Sequence, residues 1–235
     1  MSFKFKQFSV EQDRCAMKIG TDGVLLGAWA PIEHNPFNVL DIGTGTGIIS
    51  LMIAQRSHAE QIDAFEIDED AYEQAVENFK NSPWGDRLFC FHAGLDEFME
   101  EPEDEYDLIV SNPPFYTEDY SSGNEQRDLA RFADALPFED LAEAAGFLLS
   151  ENGIFAVILP YKEEEKFIAL VRNFDLFPIK ITRVKGTPTT EIKRSLLAFS
   201  RHHAENFPID ELVIEISRHN YTAEYISLTK DFYLK

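Results

Sequence analysis

Asn112-Pro113-Pro114-Phe115-Tyr116 follows directly on an apolar run, Tyr106-Asp107-Leu108-Ile109-Val110-Ser111. Two prolines stop a strand at once and stiffen the turn after it, and the residue before a proline is held extended. Asn112 is therefore presented at the strand's end with its amide clear of the backbone. An amine conjugated into an aromatic ring is a poor nucleophile because its lone pair is delocalised. Two acceptors, the Asn112 side-chain oxygen and the Pro113 carbonyl, suit the two N–H groups of such an amine and would favour a pyramidal nitrogen. Phe115 offers a face on which the ring could stack, an interaction worth about 1–3 kcal/mol per base. Asn112, Pro113, Pro114 and Phe115 are the candidate catalytic set.

A second constellation lies upstream, in Val39-Leu40-Asp41-Ile42-Gly43-Thr44-Gly45-Thr46-Gly47-Ile48. Glycines at alternate positions after a buried strand let the backbone turn tightly and approach a ligand where a Cβ would collide. The dinucleotide fingerprint G-x-G-x-x-G/A is not met, because the sixth position from Gly43 is Ile48. A carboxylate at Asp41 disfavours a pyrophosphate and suits a positively charged ligand, such as the ammonium and sulfonium of S-adenosylmethionine. Glu66 ends the next apolar run, where its carboxylate can accept from two ribose hydroxyls.

These groups need a scaffold that brings strand ends together. Strand-like runs at 37–42, 61–67, 88–92, 106–111 and 154–159 alternate with helical periodicity at 46–56, 69–81, 138–150 and 162–173, and runs at 179–184, 195–200 and 212–217 close the chain. Alternation of this kind implies parallel strands with right-handed crossovers. The expected fold is α/β: a Rossmann-like, seven-stranded, mostly parallel sheet with helices on both faces and ligands beyond the carboxyl ends of the strands. No linker divides the chain, so residues 1–235 read as one domain, with 1–36 as an N-terminal extension.

Composition narrows the class. With 235 residues, 44% hydrophobic and 27% charged, the chain can bury a sizeable core. Its two cysteines make no disulfide framework, its histidines show no metal-ligand spacing, and no run approaches the roughly 20 apolar residues needed to span a bilayer. With no leader pattern, a cytoplasmic protein without a resident metal is expected. The net charge of −21 argues at first against a nucleic-acid partner. The acid is concentrated, however: residues 60–119 hold 19 acidic against 2 basic residues, whereas 1–18 and 161–202 are net positive. Gln126, Arg127 and Arg131 soon after the Asn112 turn could grip phosphates, or form a solvated face. Lys180, Arg183, Lys185, Lys193 and Arg194 flank a Gly-Thr-Pro loop and could wall an RNA channel, or simply guard a charged sheet edge.

The N-P-P-F turn and the glycine loop resemble the S-adenosylmethionine-dependent methyltransferases that modify amino nitrogens. The resemblance extends through Phe5-Lys6-Gln7-Phe8, the run from Cys15 to Ala30, Asn81-Ser82-Pro83-Trp84, Gln126-Arg127, Leu197-Ala198-Phe199-Ser200, and Asn220-Tyr221 to Phe232-Tyr233-Leu234. In this it is similar to the bacterial tRNA(Val) N6-adenine methyltransferases acting on adenine 37, over nearly the whole chain. It implies a class I methyltransferase fold, S-adenosylmethionine as cofactor and tRNA as substrate. Cofactor binding falls to Asp41, Gly43, Gly45, Gly47 and Glu66, with Asn112 beside them. Lys18, Thr21 and Asp22 line the pocket from the N-terminal extension, which covers the cofactor site. The family's polar residue near the end of the next strand is replaced by Gly94, so Asp96 or the backbone at Gly94 and Leu95 meets the cofactor's adenine. Phe115, Tyr116, Arg127, Arg131, Lys185, Lys193 and Arg194 are the expected tRNA contacts. Protein glutamine N5-methylation and DNA adenine N6-methylation are compatible with the same turn. A non-catalytic cofactor-binding protein and a nicotinamide dehydrogenase fit it less well. Oligomeric state is not written in these residues, a monomer being the simplest expectation.

Overall fold

The computed structural model describes residues 2–100, 105–114 and 136–234. Strand β3 (Asn38–Ile42) is buried from Val39 onward, β6 (Tyr106–Ser111) is buried along nearly its whole length, and both lie at the centre of the sheet. Their continuous apolar runs, rather than alternating ones, follow from helices packed on both faces. Before them come β1 (Phe3–Lys4), β2 (Ser9–Val10) and helix α1 (Thr21–Trp29). Helix α2 (Ile48–Arg56), β4 (Gln61–Glu66), α3 (Glu69–Lys80), β5 (Leu88–His92) and α4 (Leu95–Glu100) lie between β3 and β6. After the turn come α5 (Phe138–Leu148), β7 (Leu149–Pro160), α6 (Glu164–Val171), β8 (Phe177–Lys185), β9 (Ile192–Ser200), β10 (Ile209–Val213), β11 (Glu215–Ser217), β12 (Asn220–Tyr221) and α7 (Ala223–Thr229).

The main sheet has eight strands in the order β10-β8-β9-β7-β6-β3-β4-β5. β9 alone runs antiparallel to its neighbours β7 and β8; the other pairings are parallel. The chain winds outward from β3 through β4 to β5, then returns to β6 and winds the other way. The crevice between the ends of β3 and β6 is thus the switch point at which such sheets bind ligands. Because β9 is reversed, its first residues, not its last, reach that same edge: Pro160 pairs with Arg194, and Lys185 with Ile192.

Two apolar layers enclose the sheet. One joins β2, α1, α2, Phe79 of α3 and residues of α7; the other joins Leu95 with α5 and α6. The run expected as one strand over 212–217 divides. Ile209–Val213 pairs parallel with β8 and adds the eighth strand, while Glu215–Ser217 turns off to pair with Asn220–Tyr221. Helices α1, α4 and α7 were not foreseen; α1 is buried nearly all round and lacks the polar stripe that marks a helix in sequence.

Candidate active site

Gly43, Gly45 and Gly47 all adopt left-handed backbone, with φ of 70°, 57° and 78°. They divide by what surrounds them. A Cβ at Gly47 would stand 2.5 Å from Phe79 Cε1, so this glycine lets the loop pack on α3. At Gly43 and Gly45 a Cβ would meet no heavy atom within 4 Å, which leaves a cradle open to a ligand. The backbone N–H groups of Gly43 and Thr44 both donate to the Phe65 carbonyl, fastening the loop to β4.

The two predicted carboxylates hold this loop from opposite sides. Asp41 is fully buried, and its Oδ2 accepts from Thr44 Oγ1 at 2.7 Å, Ser50 Oγ at 2.7 Å and Ser50 N at 3.2 Å. Its Oδ1 is buried with no partner. Burial raises its pKa to about 6 against the hydroxyl and amide donors that lower it. Glu66 Oε2 accepts from Gly45 N at 2.8 Å, and Oε1 from Ile67 N and Asp68 N at 3.0 and 3.1 Å. Burial raises its pKa as well, opposed by those three amides. A carboxylate has about four lone-pair sites, so two ribose hydroxyls would have to share with Gly45 or replace it.

Across the switch point, Ser111 Oγ donates to the Ile42 carbonyl at 2.9 Å and ties the end of β6 to the end of β3. Asn112 follows, half-buried, with its Oδ1 sealed from solvent and without a hydrogen-bond partner. A buried carbonyl oxygen left unmade costs about 1–3 kcal/mol, which a donor arriving with a ligand would recover. Pro113 is buried and Pro114 partly so. Helix α1 passes close by: a Cβ at Gly23 would lie 4.0 Å from Asn112 Nδ2 and 3.3 Å from Ile48 Cγ2.

The remaining expectations sort themselves by place. Asp22, expected at the cofactor, and Arg194, expected on tRNA, pair with each other, Arg194 Nε donating to Asp22 Oδ2 at 2.8 Å. Lys185 pairs with Glu211 at 2.8 Å. Lys18, Thr21 and Lys193 are exposed. Leu95, expected at the cofactor's adenine, sends its side chain into the core, the Gly94 carbonyl accepts from Phe98 N, and Asp96 is exposed. Phe115, Tyr116, Gln126, Arg127 and Arg131 lie outside the described residues. Among those described, no group of three or more His, Cys, Asp or Glu could hold a metal ion, and no helix is long and apolar enough to cross a membrane. Burial pushes the Cys15 thiol up to about 11 and Cys90 to about 12.

One residue that organises the site was missed. The Asn78 amide accepts from Glu11 N at 2.8 Å and donates to the Glu11 and Thr46 carbonyls, each at 2.9 Å. It locks the N-terminal segment, α3 and the glycine loop together. Its only sequence signal is a polar residue on the apolar side of an amphipathic helix.

The Methyltransferase small domain model matches residues 24–137. The chain is 77% identical over 233 residues to the tRNA1(Val) (adenine(37)-N6)-methyltransferase of Flavobacterium johnsoniae, covering 99% of each chain. It belongs to that family of S-adenosylmethionine-dependent methyltransferases. The enzyme of the same name from Flavobacterium psychrophilum is 72% identical, again covering 99% of each chain. A crystal structure of a predicted O-methyltransferase from Agrobacterium tumefaciens superposes with a TM-score of 0.70 at 17% identity, covering 90% of this chain and 96% of that one. That likeness carries the class I methyltransferase fold, here with eight strands where seven were expected.

Proposed function

We propose that this chain methylates N6 of adenine 37 in tRNA1(Val), with Asn112 as the group that meets the amine. The observation that carries this reading is the orphaned, buried Asn112 Oδ1 at the switch point, across from an open glycine cradle. The cradle at Gly43 and Gly45 and the unpartnered Asp41 Oδ1 fit a cofactor with a cationic end, and Glu66 fits its ribose. When bound, S-adenosylmethionine supplies an electrophilic methyl group on a positively charged sulfur.

The protein's part is positional. Adenine leaves the anticodon loop for the pocket at an unstacking cost of a few kcal/mol, smallest in a loop. Asn112 Oδ1 and the Pro113 carbonyl accept its amine N–H groups, which draws the lone pair out of ring conjugation and aims it. Ser111, bonded to Ile42, holds this turn in register with the cradle, and such orientation accounts for most of the acceleration. The surplus proton of the product goes to water, so no general base is required. Residues 2–36 cover the cofactor side through the Asn78 amide and α1. Phe115, Arg127 and Arg131 complete the RNA side, in a cytoplasmic enzyme.

Several basic residues near the site are already paired: Arg194 with Asp22, Lys185 with Glu211, and Arg183 with Glu164. Few phosphate contacts are therefore expected, and a shallow dependence of tRNA affinity on salt. The deciding experiment supplies labelled methyl donor with bulk tRNA, DNA and a release factor, and then maps the label by mass spectrometry. Label at N6 of adenine 37 is expected; label in protein or DNA alone overturns the assignment.

A further inference from the structure

Beyond the end of β7 the chain turns through Tyr161, a residue 39% exposed. Arg183 stands over that ring, its Cζ 5.5 Å from the centroid. Arg183 is itself pinned: its Nε and Nη2 donate to the carboxylate of Glu164, a residue only 3% exposed that also accepts from the buried Ser195 hydroxyl. A buried acid thus fixes a guanidinium, and the guanidinium fixes an aromatic ring at the surface. An exposed ring held this way loses little freedom when something stacks on it.

The ring forms one side of an open concavity of about 490 Å³, whose other walls include Lys185, Thr189, Thr190, Glu191 and Ile192. The loop is pre-shaped, since Thr190 Oγ1 accepts from Thr187 N and donates to Thr187 O, both at 2.9 Å. These walls combine an aromatic face, an aliphatic face, a cation, hydroxyls and a carboxylate. Together, an aromatic face opposed by aliphatic and hydrogen-bonding groups matches an unpaired nucleobase with donor edges.

Its location links it to the reaction. β7 lies one strand spacing and β9 two from β6, and Val157 of β7 is level with Ser111, so Pro160 and its partner Arg194 stand three residues, about 10 Å, further along the ligand edge. The intervening ground is the first turn of α1, where Gly23 abuts Asn112 and Asp22 pairs with Arg194. The concavity and the amine-binding turn thus share the ligand edge of the sheet, with Tyr161 directly after Pro160.

We infer that this concavity seats an unpaired nucleobase that neighbours the target adenine in the substrate RNA, with the free face of Tyr161 as its stacking platform. The inference rests on the RNA-methylating function proposed above. Loss of one stacked base predicts a rise of roughly 5- to 150-fold in KM for tRNA in Tyr161→Ala, with kcat little changed. Tyr161→Phe keeps the ring and should retain wild-type KM, and S-adenosylhomocysteine affinity by calorimetry should be unaltered in both.

A coupling test separates stacking from a structural role. Anticodon stem-loops carrying an abasic residue at each position flanking adenine 37 are assayed with wild-type protein and with Tyr161→Ala. At one position the lesion should weaken the wild type by the same factor as the substitution, and should add nothing further in the variant. Additive effects at every position, or an unchanged KM in Tyr161→Ala, overturn the inference. Failure of the wild-type protein to methylate any stem-loop would instead overturn the proposed function.

Discussion

The two halves of the ligand edge are built in opposite ways. On the β3–β4 side the parts come from neighbouring sequence: Asp41 holds Ser50 nine residues on, and Glu66 holds Gly45 twenty-one residues back. On the β6–β7–β9 side a part comes from across the chain: Asp22 meets Arg194 over 172 residues. The first half satisfies most of its polar groups internally and leaves open space, as suits one invariant ligand. The second presents an exposed ring, and its Asn112 acceptor, like Asp41 Oδ1 in the first, is buried without a partner.

That division can be broken by mutation. Asn112→Ala should lower methyl transfer at least about 100-fold, as for loss of one preorganised polar group in an active site, while S-adenosylhomocysteine affinity stays near wild type. If affinity fell in parallel, Asn112 would belong to the cofactor half instead. Next come two substitutions four residues apart. Gly47→Ala combines left-handed strain with the collision at Phe79 and should cost about 4 kcal/mol in urea unfolding. Gly43→Ala carries the strain alone, about 1–2 kcal/mol, and should instead lose cofactor affinity, because its Cβ enters the cradle. Equal stability losses would show that the cradle at Gly43 is not open.

A further effect concerns pH. Asp41 titrates near 6 in the folded protein against an ordinary value of 3.8, so the folded state binds more protons between those values. Stability contributed by this group is therefore full below about pH 4 and falls as pH rises to 6, by up to about 3 kcal/mol. Asp41→Asn should remove that slope, seen as urea midpoints for wild type and variant that diverge between pH 4 and pH 7. Parallel midpoints would mean that Asp41 is ionised at no cost. Retaining a carboxylate there despite this cost is consistent with a cationic ligand that recovers it.

The same division explains what could be read from sequence. Central strands and the glycine loop are local patterns, so β3 to β6 and the places of Gly43, Glu66 and Asn112 at their ends were legible from runs and spacing. Helix α1 was not, since a helix buried on all sides loses its amphipathic signature. Arg194 and Asp22 were each noticed, but for different tasks. A lone antiparallel strand brings the first residues of β9 to the ligand edge, and no periodicity announces that reversal. Asn78 and Tyr161 were missed because each depends on partners that only folding assembles.

The N-terminal segment is clasped at two points. Glu11 is held by the Asn78 amide, while Lys6 N donates to the Phe232 carbonyl at 2.8 Å and Phe5 stacks on Tyr233. During synthesis the first clasp can form once α3 has left the ribosome, but the second must wait for Phe232 and Tyr233. Residues 5 and 6, made before Glu11, are thus secured after it.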